Sequence, residues 1–175
     1  LVYALKQILL MILVPIWHTP DEQAHFGQVA YFAEFNKMPN SGFDLNNEVL
    51  ISERLLGTER DERGNNKFTF NPNYKIEYTD NDIGKYENEI KNIELNERHH
   101  LARQESTNYP PLYYWVVALP YKLFYESDLF TRVYFARFVS IFLGLGTVVV
   151  AYFLSKKLFP EEKILQNTFT IFIAF

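Results

Sequence analysis

The chain lacks cysteine and has no surplus of basic residues. The absence of cysteine excludes a disulfide-stapled fold, a thiolate zinc site and a cysteine nucleophile. The chain has 17 Lys and Arg and 21 Asp and Glu, which gives a formal net charge of −4. This negative balance disfavours binding to nucleic acid. Neither absence bears against a membrane protein.

Charge is also scarce at the two ends of the chain. The segment 40–108 holds 14 acidic and 9 basic residues, whereas the ends hold most of the 16 Phe and 12 Tyr. The mean hydropathy of −0.15 therefore averages apolar ends and a polar centre. Because the chain begins with Leu1 and stops inside an apolar run, we expect it to be part of a longer polypeptide.

The first apolar stretch, residues 1–17, is predicted to be a transmembrane helix truncated at its start. Seventeen residues make about 25 Å of helix, slightly less than the hydrocarbon core of about 30 Å. A signal peptide is the alternative, although no small-residue cleavage site precedes the polar segment. Trp17 is typical of a membrane interface, and Lys6 would lie inside the bilayer.

The second apolar stretch, residues 129–158, is the clearer transmembrane prediction, since 138–155 carries no charge. The basic turn at 156–163 is predicted to be cytoplasmic by the positive-inside rule. That orientation places the long first loop, 18–128, outside the plasma membrane. Residues 164–175 would begin a third span.

Two glycines of the second span, Gly144 and Gly146, would allow another helix to pack closely. Arg132 and Arg137 precede its uncharged core, and either residue could bind phosphate or simply flank the membrane.

The first loop is predicted to contain two amphipathic helices on the membrane surface, at 21–37 and 110–125. Between them, 40–108 would be a polar insertion with a β-hairpin at 68–78 and a solvated helix at 85–104. The predicted fold class is mainly α: integral membrane helices with interfacial amphipathic helices and a small α+β extracytoplasmic loop insertion.

The densest group of titratable residues runs from His18 to His25. Thr19 and Glu22 match a capping box, with proline between them in the first turn, and this is the purely structural interpretation. In a helix that starts there, Asp21 and His25 share one face. A carboxylate at this position could deprotonate an acceptor hydroxyl or hold a divalent metal. The interpretations are compatible, because a cap can also hold a catalytic carboxylate in place.

A second group begins with Asn108 and Tyr109, directly before Pro110 and Pro111. The prolines would open an interfacial helix, and Asn108 and Tyr109 would face a substrate head group. The adjacent pair at 99–100, both histidines, is predicted to be solvated surface of the helix, where neighbouring positions cannot easily share one metal ion. His18 is predicted to be an interface residue.

These elements, in this order, resemble the N-terminal portion of GT-C membrane glycosyltransferases. More narrowly, they resemble the protein O-mannosyltransferase and aminoarabinose transferase-like group. The resemblance rests on Asp21-Glu22 after the first span, the following surface helix, the element Pro-Pro-Leu-Tyr-Tyr-Trp and the Arg-flanked second span. It covers 1–37 and 108–175, and it does not extend to 40–107.

The resemblance implies sugar transfer from a polyisoprenyl-phosphate donor to a glycan, lipid or protein acceptor outside the membrane. It implies that Asp21 is the general base, and that Glu22 or His25 orients it or binds Mg, Mn or Zn. Some members carry an acidic–basic pair or a histidine where this chain has Asn108-Tyr109. The positive charge facing the donor phosphate would then come from Arg103, Arg132 or Arg137, or from outside this sequence.

The alternative is a non-catalytic multi-span membrane protein whose first extracytoplasmic loop is a binding or assembly module. In that case the residues from Thr19 to Glu22 would serve only as a helix cap.

Overall fold

The chain is mainly helical in a computed structural model that describes residues 2–38, 45–59, 77, 79–94, 97, 99–100 and 109–174. The predicted hairpin at 68–78 lies, apart from Glu77, outside the described residues. The helices are α1 (Val2–Leu13), α2 (Glu22–Phe35), α3 (Asn47–Leu56), α4 (Asp80–Lys91), α5 (Leu112–Leu123), α6 (Leu129–Leu158) and α7 (Lys163–Ala174). Two short strands, β1 (Leu45–Asn46) and β2 (His99–His100), pair antiparallel.

Helix α6 is long and apolar enough to cross a membrane. Its 30 residues extend about 45 Å, and Lys156 and Lys157 lie in its last turn. Helices α1 and α7 have 12 residues each, about 18 Å, so in the described part of the chain neither reaches the length of a span. Helix α1 ends at Leu13 because the proline at position 15 disfavours helical backbone at position 14.

Trp17, which the sequence places at a membrane interface, is buried inside the protein. Only 1% of Trp17 is exposed, and its ring packs on Phe26 with the centroids 5.7 Å apart. Its Nε1 donates a hydrogen bond of 2.9 Å to Ser52 Oγ in α3. Trp17 is therefore a core residue, because its indole N–H finds a partner inside the protein.

The described chain forms two compact units, Val14–Ala136 and Leu1–Leu13 with Arg137–Phe175. In the second of these, α1 approaches α6 at Gly144, where an added Cβ would overlap the Tyr3 hydroxyl. Among the described residues, no atom other than the neighbouring backbone of α6 lies within 4 Å of the equivalent position at Gly146. Of the two predicted packing glycines, only Gly144 is placed against another helix.

The unit Val14–Ala136 is built around α2 packed on α5. Small residues of both helices, Ala30 in α2 and Ala118 in α5, are buried. The opposite face of α5 is exposed although it is apolar. It is formed by Leu112, Leu119 and Leu123, with Trp115 at its edge, where the half-exposed ring stacks on Phe32 of α2. Helix α5 thus has two apolar faces, of which one is covered by α2.

The predicted solvated helix at 85–104 is wrong at both ends. Helix α4 begins at Asp80, because Thr79 and Asp82 form a capping box that the sequence analysis missed. It ends at Lys91, and residues 99–100 form β2 instead of continuing the helix. The predicted surface helices at 21–37 and 110–125 correspond to the shorter α2 and α5.

Candidate functional site

The segment before α2 is a tight turn with two residues in left-handed backbone conformation. Trp17 has φ 64° and Asp21 has φ 57°. Asp21 occupies the N-cap position of α2, but its side chain makes no capping hydrogen bond to the helix. Non-glycine residues adopt this conformation rarely, and such outliers concentrate at functional sites. The turn presents the exposed Asp21 at the start of α2.

The predicted capping box of Thr19 and Glu22 is wrong. Helix α2 begins at Glu22, so Thr19 lies outside the helix. The Glu22 carboxylate instead accepts a hydrogen bond of 2.9 Å from the backbone N–H of Trp17. Because the backbone turns sharply at Trp17, this N–H faces the helix. It takes the place of the Thr19 backbone N–H, which would be the partner of Glu22 in a capping box. Glu22 therefore holds the turn that carries Asp21.

His25, one turn into α2, connects the group of titratable residues at 18–25 with the second group, which begins at Asn108. Its Nδ1 lies 2.9 Å from the Tyr114 hydroxyl of α5, and which atom donates depends on the histidine tautomer. The Tyr109 ring meets the His25 ring edge to face, with the centroids 5.2 Å apart. Tyr109, 54% exposed, covers His25 on the solvent side.

Burial determines the protonation states of this pair. It lowers the pKa of His25 below its ordinary value, and the negative charge of Asp21 opposes that shift only in part. Burial also raises the pKa of the Tyr114 hydroxyl to about 12. At neutral pH a neutral imidazole therefore meets a protonated phenol.

The cluster of Asp21, His25, Tyr109 and Tyr114 can bind and deprotonate a hydroxyl group. Asp21 supplies a carboxylate, and its charge lies close enough to act on His25. His25 and Tyr114 supply neutral hydrogen-bonding groups whose orientation is set by their mutual contact. The aromatic rings form the apolar wall against which a substrate would lie.

One donor atom of each predicted metal ligand is engaged within the protein. Glu22 is hydrogen-bonded to the Trp17 N–H, and His25 Nδ1 is hydrogen-bonded to Tyr114. Over the described ranges, no group of three His, Asp or Glu side chains is placed to hold a metal.

Arg132 is buried in an ion pair and does not present its guanidinium to a phosphate. Only 3% of its side chain is exposed, and both of its terminal nitrogens contact Glu48, at 2.9 and 3.1 Å. Its Nη1 also donates to the Tyr121 hydroxyl at 2.7 Å, and that hydroxyl donates to Glu34 at 3.0 Å. The predicted phosphate contact of Arg132 is therefore replaced by a structural role, because a buried guanidinium requires a carboxylate partner.

The other predicted site residues are dispersed. Arg137 donates a hydrogen bond of 3.0 Å to the Met11 carbonyl at the end of α1. His18 Nδ1 lies 3.2 Å from the Ile16 carbonyl. Asn108 and Arg103 lie outside the described residues.

Two functional features were missed by the sequence analysis. Tyr114 lies 89 residues from His25, and Glu48 lies 84 residues from Arg132. Tyr114 was visible only as one aromatic of a rich segment, and Glu48 as one acid of a region interpreted as an insertion. Helix α3, in that region, is instead tied to the core through Glu48 and Ser52.

Comparisons with protein-family models, with curated proteins and with solved structures find no match to this chain.

Proposed function

We propose that the chain is the N-terminal part of a membrane glycosyltransferase. It would use a polyisoprenyl-phosphate sugar donor at the extracytoplasmic face of the plasma membrane, with Asp21 as general base. The observation that carries the proposal is the contact between His25 and Tyr114, which brings the two groups of the resemblance together beside Asp21. Helix α6, long and apolar enough to span a membrane, agrees with this setting.

The membrane setting is supported by the uncovered face of α5. Leu112, Trp115, Leu119 and Leu123 lie on one side of that helix and are more than half exposed. An apolar helix face of this kind, with an aromatic residue among its members, is typical of a helix lying in the membrane interface. The donor's lipid chain would then reach the site along the membrane surface. Helices α1 and α7 would belong to further spans.

In the proposed reaction, the acceptor hydroxyl oxygen attacks the anomeric carbon of the donor sugar. The bond from that carbon to the phosphate oxygen breaks, and polyisoprenyl phosphate leaves. Asp21 takes the proton of the acceptor hydroxyl as the new glycosidic bond forms. Glu22 is a positioning residue, because it holds the turn at Trp17, and His25 with Tyr114 orients the acceptor.

The test is sugar transfer in membranes that carry the full-length protein, with wild type beside Asp21→Asn. We expect the variant to lose activity by about a hundredfold or more, which is the usual contribution of a general base. Asp80→Asn is the matched control, since Asp80 is an exposed aspartate in the first turn of α4. It should transfer sugar at the wild-type rate.

Equal activity of wild type and Asp21→Asn would remove Asp21 from the base role. A wild-type protein that is correctly inserted but inactive with every polyisoprenyl-phosphate sugar would favour the alternative, a non-catalytic binding or assembly module. The buried Glu48–Arg132 pair is compatible with that alternative, because it stiffens the same loop without catalysis.

A further inference from the structure

An open pocket of about 450 Å³ lies at the other end of the α2–α5 pair from Asp21. It is lined by Ala33, Glu34, Lys122, Leu123, Tyr125 and Glu126. Nine residues of helix separate Glu34 from His25, which is about 14 Å along the axis. The pocket is therefore distinct from the site proposed for sugar transfer.

The electrostatics of the pocket favour a cationic group. Glu34 and Glu126 contribute two carboxylates against the single ammonium of Lys122. The C-terminal ends of α2 and α5, at Phe35 and Leu123, lie beside the pocket. Each helix end adds partial negative charge. A ligand with a primary ammonium would be attracted, and Tyr125 offers an aromatic ring beside it.

One of the two carboxylates is held in place by buried groups. The Tyr121 hydroxyl donates to Glu34 Oε1 at 3.0 Å, and Arg132 Nη1 donates to the same hydroxyl at 2.7 Å. Both Tyr121 and Arg132 are buried. A surface glutamate usually samples many rotamers, whereas this one is oriented by a fixed network. Such support by buried neighbours is what a binding site requires.

Two further lining residues, Lys122 and Leu123, suit a phosphate and an acyl chain. Lys122 is exposed, and its Nζ contacts Asn36 Oδ1 at 2.6 Å at the end of α2. Leu123 is 78% exposed and continues the apolar face of α5 formed with Leu119. The pocket therefore offers carboxylates, a lysine and an apolar strip. These three kinds of group complement the ammonium, the phosphate and the acyl chains of an aminophospholipid.

We propose that this pocket binds the aminoalkyl phosphate head group of a zwitterionic phospholipid, with phosphatidylethanolamine as the fitting chemistry. The ammonium lies against Glu34 and Glu126, the phosphate lies against Lys122, and the acyl chains follow the face of α5. The proposal does not depend on glycosyl transfer.

The test is lipid binding to the purified full-length protein in detergent, measured by native mass spectrometry. The probes are dioleoyl lipids with ethanolamine, choline or glycerol head groups. We expect the ethanolamine lipid to bind about fivefold more tightly than the choline lipid, whose methylated ammonium cannot donate a hydrogen bond. Glu126→Gln and Glu34→Gln should each reduce this preference, and Lys122→Gln should weaken binding of all three lipids.

The matched control is Glu161→Gln, an exposed glutamate in the turn after α6, which should leave the preference unchanged. Glu126 is exposed, so its substitution does not threaten the fold, and a glutamine at position 34 can still accept from Tyr121. Displacement of the lipid by soluble phosphoethanolamine would support the head-group chemistry and extend it to free aminoalkyl phosphates. Persistence of the lipid under that competitor would support the phospholipid itself.

Equal binding of the three lipids by the wild type would overturn the proposal. A preference for the glycerol head group would also overturn it, because Lys122 would then dominate. An ethanolamine preference that is unchanged in both Glu34→Gln and Glu126→Gln would overturn the proposal as well.

Discussion

The two compact units of this protein are stabilised in different ways. The unit Val14–Ala136 buries charged and polar side chains and connects them, with Arg132, Glu48 and Tyr121 in one hydrogen-bonded network. The unit formed by Leu1–Leu13 and Arg137–Phe175 exposes large apolar side chains along its helices, up to 81% for Phe172, and the first unit does so along α5, up to 78% for Leu123. A buried ion pair links parts of the first unit, whereas exposed apolar helix faces prevail among the described residues of the second.

This difference predicts where a single substitution has a large effect. In the unit Val14–Ala136, a buried charge that loses its partner cannot be solvated by water, so the free energy of unfolding falls strongly. In the unit of Leu1–Leu13 and Arg137–Phe175, most apolar side chains can be exchanged for others of similar size and character. There we expect the largest loss of stability where two helices approach closely.

The largest effect is expected for Glu48→Ala. The substitution leaves the Arg132 guanidinium buried without its carboxylate, which should reduce the free energy of unfolding by about 3–5 kcal/mol. The measurement is thermal unfolding of the purified chain in detergent. The matched control is Glu59→Ala, whose exposed contact with Arg54 at 3.7 Å should contribute at most about 1 kcal/mol. Equal effects of the two substitutions would show that the buried network does not stabilise this unit.

A smaller effect is expected at the glycines of α6. Gly144→Ala places a methyl group against the Tyr3 ring and should destabilise the protein by about 1–3 kcal/mol. Gly146→Ala meets no described neighbour, so its better helix propensity should stabilise the protein by up to about 1 kcal/mol. The two variants are compared by the same unfolding measurement. If both substitutions lower the melting temperature by the same amount, the close approach of α1 to α6 at Gly144 does not limit the stability of this unit.

The smallest effect is a dependence of stability on pH through His25. Burial lowers the pKa of His25, so between that lowered value and about 6.5 the unfolded chain binds more protons than the folded one. The contribution of His25 to stability is therefore complete above about pH 6.5 and is lost as pH falls through that window. Melting temperatures measured from pH 7.5 down to 5.5 should decline less for His25→Gln than for the wild type.

The control for this series is His18→Gln, which replaces another histidine of the same unit. A decline of the same slope in His25→Gln would assign the pH dependence to other groups.

Much of the helical framework was predictable because helix formation is a local property. The apolar run of α6 and the interruption of α1 near Pro15 are both visible over a few turns of sequence. The N-cap of α2 was not predicted correctly, because the match to a capping box at Thr19 competes with the left-handed backbone at Asp21. The burial of Trp17 was also missed, since an aromatic residue after an apolar run is equally typical of a membrane interface.

By itself, the sequence determined that this protein is mainly helical, that α6 can span a membrane and that Asp21, Glu22 and His25 lie close together. Only the tertiary structure decided that His25 meets Tyr114, that Arg132 is neutralised by Glu48 and that Glu34 faces a pocket beside Lys122. The reason is physical. Periodicity and capping act within a few residues, whereas each of these pairs joins residues more than 80 positions apart, and such contacts depend on how the helices pack.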